Sequence, residues 1–357
     1  MAQINLSWLV QYNELDRHSN VTHALLDSFE NVVVAVTNSS KQVGFETNAS
    51  ILKYDATGAQ VFKWQRLDSL NGEVVNDLST DTAGNIYALT YVSNVWQLDT
   101  LHLIKIDGTT GQVIFDISVD TNLFNRKMKL YDNHVYVVLG VPQNVILKYD
   151  LQGNLIWSKS LVHFFKVLDI QFNRSYMYVI GDSINNNMQR VRCFDTSGVY
   201  LWQHLMSYRQ FYDAEIDNDG KLWIVGAEPA NNKNFVYSLD TLGKLWDTLI
   251  YTTSGGSYNA RLSFDSQNNI YSGFNVGSTW KGVLELFKIG NYQVTKIAIV
   301  DSCFNNISIP SFNGLSMKCL ENDDILIAST YYSNVNAPKL YEISRIDSTG
   351  NFKKLQI

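Results

Sequence analysis

The sequence predicts an all-β repeat protein, and three observations support this prediction. Two short turn signatures each recur seven times along the 357 residues. The segments between them alternate apolar and polar residues, which is typical of half-buried β-strands. No segment carries the sustained apolar period of 3.6 residues that an amphipathic helix requires. Four short strands in each of seven repeats therefore account for the chain.

In the first signature an apolar run ends in Asp, and Gly follows after two or three residues. The Asp side chain can accept hydrogen bonds from the turn backbone, and Gly can adopt the positive φ that the turn requires. The copies, of which the sixth is degenerate, occupy residues 55–58, 107–111, 150–153, 195–198, 240–243, 288–292 and 347–350. Their average spacing of about 49 residues is within the size range of propeller blades.

The second signature is a polar turn before a short β-rich run, and it precedes each copy of the first. Its copies occupy residues 27–31, 81–85, 131–134, 173–175, 217–221, 265–269 and 321–324. A four-stranded antiparallel sheet that repeats around an axis is a β-propeller, so we predict a single seven-bladed domain over residues 1–357. We expect the N-terminal strand 4–12 to pair with the last blade and close the ring, because it resembles the strands that follow each Gly.

Tryptophan residues follow several of the signature glycines. Trp157 and Trp202 come four residues after the Gly, whereas Trp64 comes six and Trp246 three residues after it. This pattern resembles the tryptophan-docking repeat of quinoprotein dehydrogenases and their non-catalytic relatives. Because these four Trp side chains recur near one register, we expect them to pack between neighbouring blades. The adjacent Cys-Cys pair that many quinoprotein enzymes carry is missing from the sequence, so we expect no quinone and no other cofactor.

Two features bear on the compartment. The polar turn 81–85 resembles the Asp-x-x-Gly-Asn-x-Tyr repeats of exported bacterial propellers, which implies an exported protein of the periplasm or cell surface, or a secreted one. The first residues carry no signal peptide, which fits a mature exported chain or a cytosolic one.

The sequence contains three cysteines. Cys193 lies in an alternating segment and is expected to be buried. Cys303 and Cys319 are either free thiols or, in an exported protein, a disulfide.

Composition and motifs exclude several functions. Acidic residues outnumber basic ones by 34 to 28, and no basic block is present, which argues against nucleic acid as a partner. No apolar run approaches the ~18 residues that span a bilayer. The six histidines have no metal-ligand spacing, and the sequence contains no nucleophile elbow and no phosphate loop. We therefore expect no catalytic residue and no metal site.

The two turn signatures lie on one face of a propeller, here called the turn face, because successive connections of a blade emerge on opposite sides. The connections on the opposite face, here called the variable face, differ greatly in length, so this face is free to specialise. Aromatic residues there suit a protein or carbohydrate partner. The candidates are Trp96, Trp280, Tyr331 and Tyr332, with Phe211 and Tyr212 from a link between blades.

A non-enzymatic interaction scaffold is therefore the leading interpretation. A propeller hydrolase or lactonase is an alternative, with a metal or carboxylate–His site at the mouth of the central channel. That site would draw on polar residues near the first strands, although such residues also simply hydrate channels. They are His23, Asp77, Asp169, Asp213 and Asn259. A third interpretation is an accessory subunit of a cell-envelope or secretion complex.

Overall fold

The computed structural model describes most of the chain as β-strands. The described residues are 17–40, 47–55, 57–66, 71–94, 100–121, 126–141, 143–161, 164–183, 188–207, 210–228, 233–252, 256–278, 281–290, 293–301, 315–319, 325–332, 339–346 and 352–353. Within these ranges the chain forms 28 strands in seven four-stranded sheets, numbered here in chain order. No helix in them is long and apolar enough to cross a membrane.

The strands of the first four sheets are β1 (Arg17–Leu26), β2 (Val32–Ser40), β3 (Thr47–Tyr54) and β4 (Gln60–Gln65); β5 (Asn71–Thr80), β6 (Ile86–Asn94), β7 (Thr100–Ile106) and β8 (Val113–Thr121); β9 (Arg126–Tyr131), β10 (His134–Leu139), β11 (Val145–Asp150) and β12 (Leu155–Ser160); and β13 (Phe164–Asn173), β14 (Tyr176–Ser183), β15 (Met188–Asp195) and β16 (Tyr200–Ser207).

The strands of the last three sheets are β17 (Gln210–Ile216), β18 (Leu222–Glu228), β19 (Lys233–Leu239) and β20 (Leu245–Thr252); β21 (Gly256–Phe264), β22 (Ile270–Ser278), β23 (Lys281–Gly290) and β24 (Gln293–Asp301); and β25 (Leu315–Cys319), β26 (Ile325–Tyr332), β27 (Lys339–Ile346) and β28 (Phe352–Lys353).

Each sheet is an antiparallel meander in which consecutive strands pair. The first strands of consecutive sheets contact each other from β1 to β25, and β1 also contacts β26 and β27 of the seventh sheet. We call these seven first strands the inner strands. The prediction of an all-β fold of repeated four-stranded antiparallel sheets is confirmed. The N-terminal strand predicted to close the ring lies outside the described residues.

The turns form as their sequences predict. Asp55 Oδ1 accepts the backbone N–H of Thr57 at 2.9 Å and of Ala59 at 3.0 Å, and Gly58 has φ of 87°. The same pattern of hydrogen bonds from residues two and four positions later holds the second signature at Asp81. These two turns therefore satisfy their own backbone from residues at most four apart.

The core lies between consecutive sheets. Successive residues of a strand face opposite neighbours, so Ile86 and Ala88 pack toward the first sheet, and Tyr87 and Leu89 toward the third. The second strand of a sheet is consequently buried on both sides, which explains its continuous apolar sequence.

Aromatic residues of one sheet dock against turn glycines of the next. A Cβ on Gly198 would lie 3.2 Å from the Trp157 ring, and one on Gly243 only 2.6 Å from Trp202. These contacts confirm the predicted role of Trp157 and Trp202. They follow a constant spacing of four residues after the preceding turn glycine.

Trp64 also packs between neighbouring sheets, as expected, because it is buried in the core between the first two sheets. The residue that docks on a turn glycine here is Phe62, four residues after Gly58, which lies against Gly111. Phe115 docks on Gly153 in the same way. Docking is therefore determined by spacing and accepts Phe as well as Trp. The side chain of Trp246 lies outside the described part of the structure.

Candidate functional site

The aromatic residues predicted to bind a partner fall into three groups. Trp96 and Trp280 lie outside the described residues, as do the side chains of Tyr331 and Tyr332 at the end of β26. Phe211 on β17 is 1% exposed, and its ring centroid lies 5.7 Å from that of Tyr237. It is a core residue and presents no ring to a partner. Tyr212 is half-buried against the core between the fifth and sixth sheets.

The cysteines are only partly described. Cys193 is fully buried, as expected, and burial raises the pKa of its thiol to about 12. This thiol therefore carries no charge at neutral pH and behaves as a small apolar group. Cys303 lies outside the described residues, so its predicted disulfide with Cys319 stays a prediction. Cys319 lies on β25, where its backbone N–H donates to Ser263 Oγ at 2.7 Å.

Polar side chains converge on the inner strands at one register. The second strand of each sheet begins with a buried apolar residue, at or next to its first position. The residue three positions after it pairs with one particular residue of the inner strand. His23 pairs with Ala35, for example, and Asp77 with Leu89. The complete set, here called the inner-strand set, is His23, Asp77, Lys127, Asp169, Asp213, Arg261 and Ser316.

Four of the five residues predicted near the channel belong to the inner-strand set. Asn259 does not, because it pairs with Asn275 and leaves the equivalent position to Arg261. Lys127 was also missed. Both Arg261 and Lys127 could have been found by counting three positions from the first buried apolar residue of the second strand. That count helps only when the pairing register of the two strands is known.

Asp77 is the best-connected member of the set. Its Oδ2 accepts the backbone N–H of Met128 on the next inner strand, β9, at 2.9 Å. Its Oδ1 lies 3.6 Å from His23 Nε2 on the preceding inner strand, and Lys127 Nζ lies 4.0 Å from Oδ2. One carboxylate thus links three consecutive sheets.

Asp213 makes an equivalent link, whereas Asp169 acts through Gln171 of its own strand. Asp213 Oδ2 accepts the backbone N–H of Leu262 on β21 at 2.8 Å. Asp169 Oδ2 accepts a hydrogen bond from Gln171 Nε2, which also donates to the backbone carbonyl of Ala214 on β17 at 2.6 Å. Asp77 and Asp213 therefore join neighbouring sheets through backbone groups, and Asp169 contributes by holding the Gln171 side chain.

Charges of both signs meet on the inner strands. Burial, together with the cations Lys127 and Arg261, lowers the pKa of His23 to about 4 although Asp77 opposes the shift, so this imidazole is neutral at neutral pH. Burial alone would lower the pKa of Lys129, but surrounding carboxylates, led by Glu215, raise it above its ordinary value. A mixed set of this kind stays close to neutral overall, which limits the cost of burying it.

The inner-strand set forms a network of hydrogen bonds and ion pairs. Among the described residues no group of three or more His, Cys, Asp or Glu side chains is placed to hold a metal ion. Burial raises the pKa of Asp213 to about 7, with Asp169 adding to the shift and Arg261 opposing it. Burial also raises the pKa of Asp169.

The raised pKa of Asp213 predicts that the protein becomes less stable as the pH rises from about 4 to about 7. In that range the folded protein retains a proton that the unfolded chain has lost, so the contribution is complete below the ordinary pKa of 3.8 and is lost as the pH passes the folded pKa. Asp213→Asn can still accept the Leu262 N–H. We expect this variant to gain about 1 kcal/mol or more in stability relative to the wild type between pH 5 and pH 8, measured by urea denaturation.

The exposed turn residue Asp219 provides the matched control, since Asp219→Asn removes the same charge without touching the inner strands. An identical pH profile for wild type and Asp213→Asn would contradict the assignment.

Comparison with protein-family models and with curated proteins gives no match. Solved structures do match. A chain of Kuenenia stuttgartiensis hydrazine synthase has a TM-score of 0.64 at 14% identity, covering 96% of this chain and 99% of that one. The Dos1 propeller has a TM-score of 0.60 at 10% identity (93% and 82% covered), and BamB from Moraxella catarrhalis 0.50 at 10% (94% and 88%). At these identities the likeness shows the fold alone, and that fold is a β-propeller.

Proposed function

We propose that this chain forms one closed, seven-bladed propeller of the tryptophan-docking type, in its non-catalytic branch. The contacts support closure, because they run from each inner strand to the next and return from the seventh sheet to β1. The docking of Trp157 and Trp202 on turn glycines supports the resemblance to tryptophan-docking repeats. In this arrangement the N-terminal strand completes the last blade.

The function we propose is that of a non-enzymatic interaction scaffold, exported from the cell, that binds a protein or glycan on its variable face. The observation that carries the proposal is that two inner-strand carboxylates are occupied by hydrogen bonds between sheets. Asp77 and Asp213 accept backbone N–H groups of the next inner strand, so they are committed to holding sheets together. A general acid or base needs a substrate proton within hydrogen-bond reach, and these side chains already have partners. Recognition then belongs to the variable connections.

The double variant Trp96→Ala, Trp280→Ala tests this proposal. We expect it to lose the partner that the wild-type protein retains in affinity capture from its native organism, or the glycan that it retains on an array, with an unchanged melting temperature. Leu242→Ala is the matched control, because Leu242 is an exposed apolar residue on the turn face. Capture that is equal in all three proteins would contradict the variable face as the binding surface. A hydrolytic activity that disappears in Asp213→Asn would favour the hydrolase instead.

A further inference from the structure

Two arginines lie side by side on β15. Arg190 and Arg192 are two residues apart and therefore share one face of the strand, which packs toward the third sheet with Phe194. Arg190 is 8% exposed, and Arg192 is half-buried. Neither guanidinium has a carboxylate within ion-pair distance in the described part of the chain. Two like charges are thus held together in a poorly solvated place.

Within the described residues, the hydrogen bonds of these two guanidinium groups go to neutral acceptors. Arg190 donates to Ser183 Oγ at 3.1 Å and to Gln203 Oε1 at 3.3 Å, and Arg192 donates to the same Gln203 oxygen at 3.5 Å. The Nε of each arginine is buried and has no acceptor within the described residues. In the part of the chain that the structure describes, one amide oxygen and one hydroxyl therefore accept from two guanidinium groups that together offer about ten donors.

The segments next to the pair supply no counterion within the described residues. Asp182 lies on the opposite face of β14. The connection between β14 and β15, residues 184–187, reads Ile-Asn-Asn-Asn and contains no acid. Burial lowers the pKa of both arginines, and Arg190 lowers that of Arg192 further.

A buried charge without a counterion is unfavourable, and the planar fork of a guanidinium matches the oxygens of phosphate, sulfate and carboxylate groups. The site is open at the rim, where Tyr200 and Leu205 are exposed and Arg192 lies over the Tyr200 ring. We propose that Arg190 and Arg192 form a binding site for an oxyanion at the outer rim between the third and fourth sheets. This inference goes beyond the scaffold role and does not depend on it.

The test is thermal unfolding with inorganic phosphate, sulfate or acetate against chloride at equal ionic strength, supported by calorimetric titration with phosphate. We expect phosphate to raise the melting temperature of the wild type by a saturable ~2–4 °C. Arg190→Gln and Arg192→Gln should each lose this shift. Lys244→Gln should keep it, because it removes one exposed positive charge on the turn face.

Comparing the three anions shows which chemical group the site binds. A response to phosphate and sulfate alone assigns the site to phosphorylated or sulfated ligands, whereas a response to acetate as well extends it to carboxylates. The absence of any saturable response in the wild type would overturn the proposal. An equal response in the wild type and in both arginine variants would overturn it too, because the anion would then bind elsewhere. Arg192 is half-buried, so its variant keeps the test open if Arg190→Gln does not fold.

Discussion

Replacing Lys53 with Ala is expected to lower the free energy of unfolding by about 3–5 kcal/mol. The Lys53 ammonium lies 2.6 Å from Asp27 Oδ2, and the two side chains are 4% and 0% exposed. The ammonium also donates to the backbone carbonyl of Gly108 in the second sheet at 2.7 Å. The variant leaves the Asp27 carboxylate buried without its counterion, and it removes a bond between two sheets. Urea denaturation measures the loss.

Lysines in the same position of other sheets provide the control. Lys288 Nζ lies 3.8 Å from Asp265, but its side chain is 30% exposed. Water can therefore replace much of that interaction, so we expect Lys288→Ala to cost at most about 1 kcal/mol. If Lys53→Ala costs no more than Lys288→Ala, burial of the ion pair is not what makes Lys53 important.

The pH dependence of this pair gives a second measurement. Burial alone would raise the pKa of Asp27, but hydrogen bonds from Lys53 and Asn31 outweigh it and hold the pKa below 3.8. The stabilisation is therefore complete above pH 3.8 and is lost as the pH falls through the depressed pKa of the folded state. The difference between the wild type and Lys53→Ala should shrink in acid. Asp213 behaves in the opposite way, because its contribution to stability is lost as the pH rises.

The repeat could be predicted from the sequence because its signals are local. The Asp55 turn closes on residues two and four positions later, so the same letters appear wherever the turn appears. Alternation in the third strands and the continuous apolar second strands follow directly from which faces are buried. Trp64 shows the limit of such reasoning. Trp is the more conspicuous residue, but the fixed spacing after the turn gives the docking position to Phe62.

The inner-strand set could be predicted only in part because it depends on pairing between distant segments. His23 and Asp77 stand out in apolar surroundings, but nothing local relates them to Arg261, which reaches the same register through its pairing with Gly273. The arginine pair on β15 was missed for a similar reason. Alternation shows that Arg190 and Arg192 share a face, whereas the absence of a carboxylate within ion-pair distance among the described residues is visible only when the neighbouring sheets are brought together.

Replacing Trp202 with Ala is expected to cost about 3 kcal/mol. Its ring packs on Gly243 in the next sheet and lies 5.9 Å from the Tyr178 ring, and its Nε1–H donates to the backbone carbonyl of Thr241 at 2.8 Å. Truncation opens a cavity between the fourth and fifth sheets and leaves that carbonyl without its donor. Chemical denaturation measures the loss.

Trp202→Phe separates the two contributions, because it keeps a ring at the docking position and removes only the N–H donor. The protein already uses Phe62 and Phe115 at this position, so the ring is sufficient for docking. We expect Trp202→Phe to cost about 1 kcal/mol, the net value of one hydrogen bond, and the exposed neighbour Leu201→Ala to change stability by less than about 0.5 kcal/mol. A loss in Trp202→Phe as large as in Trp202→Ala would mean that the hydrogen bond to Thr241, and not the packing on Gly243, joins these two sheets.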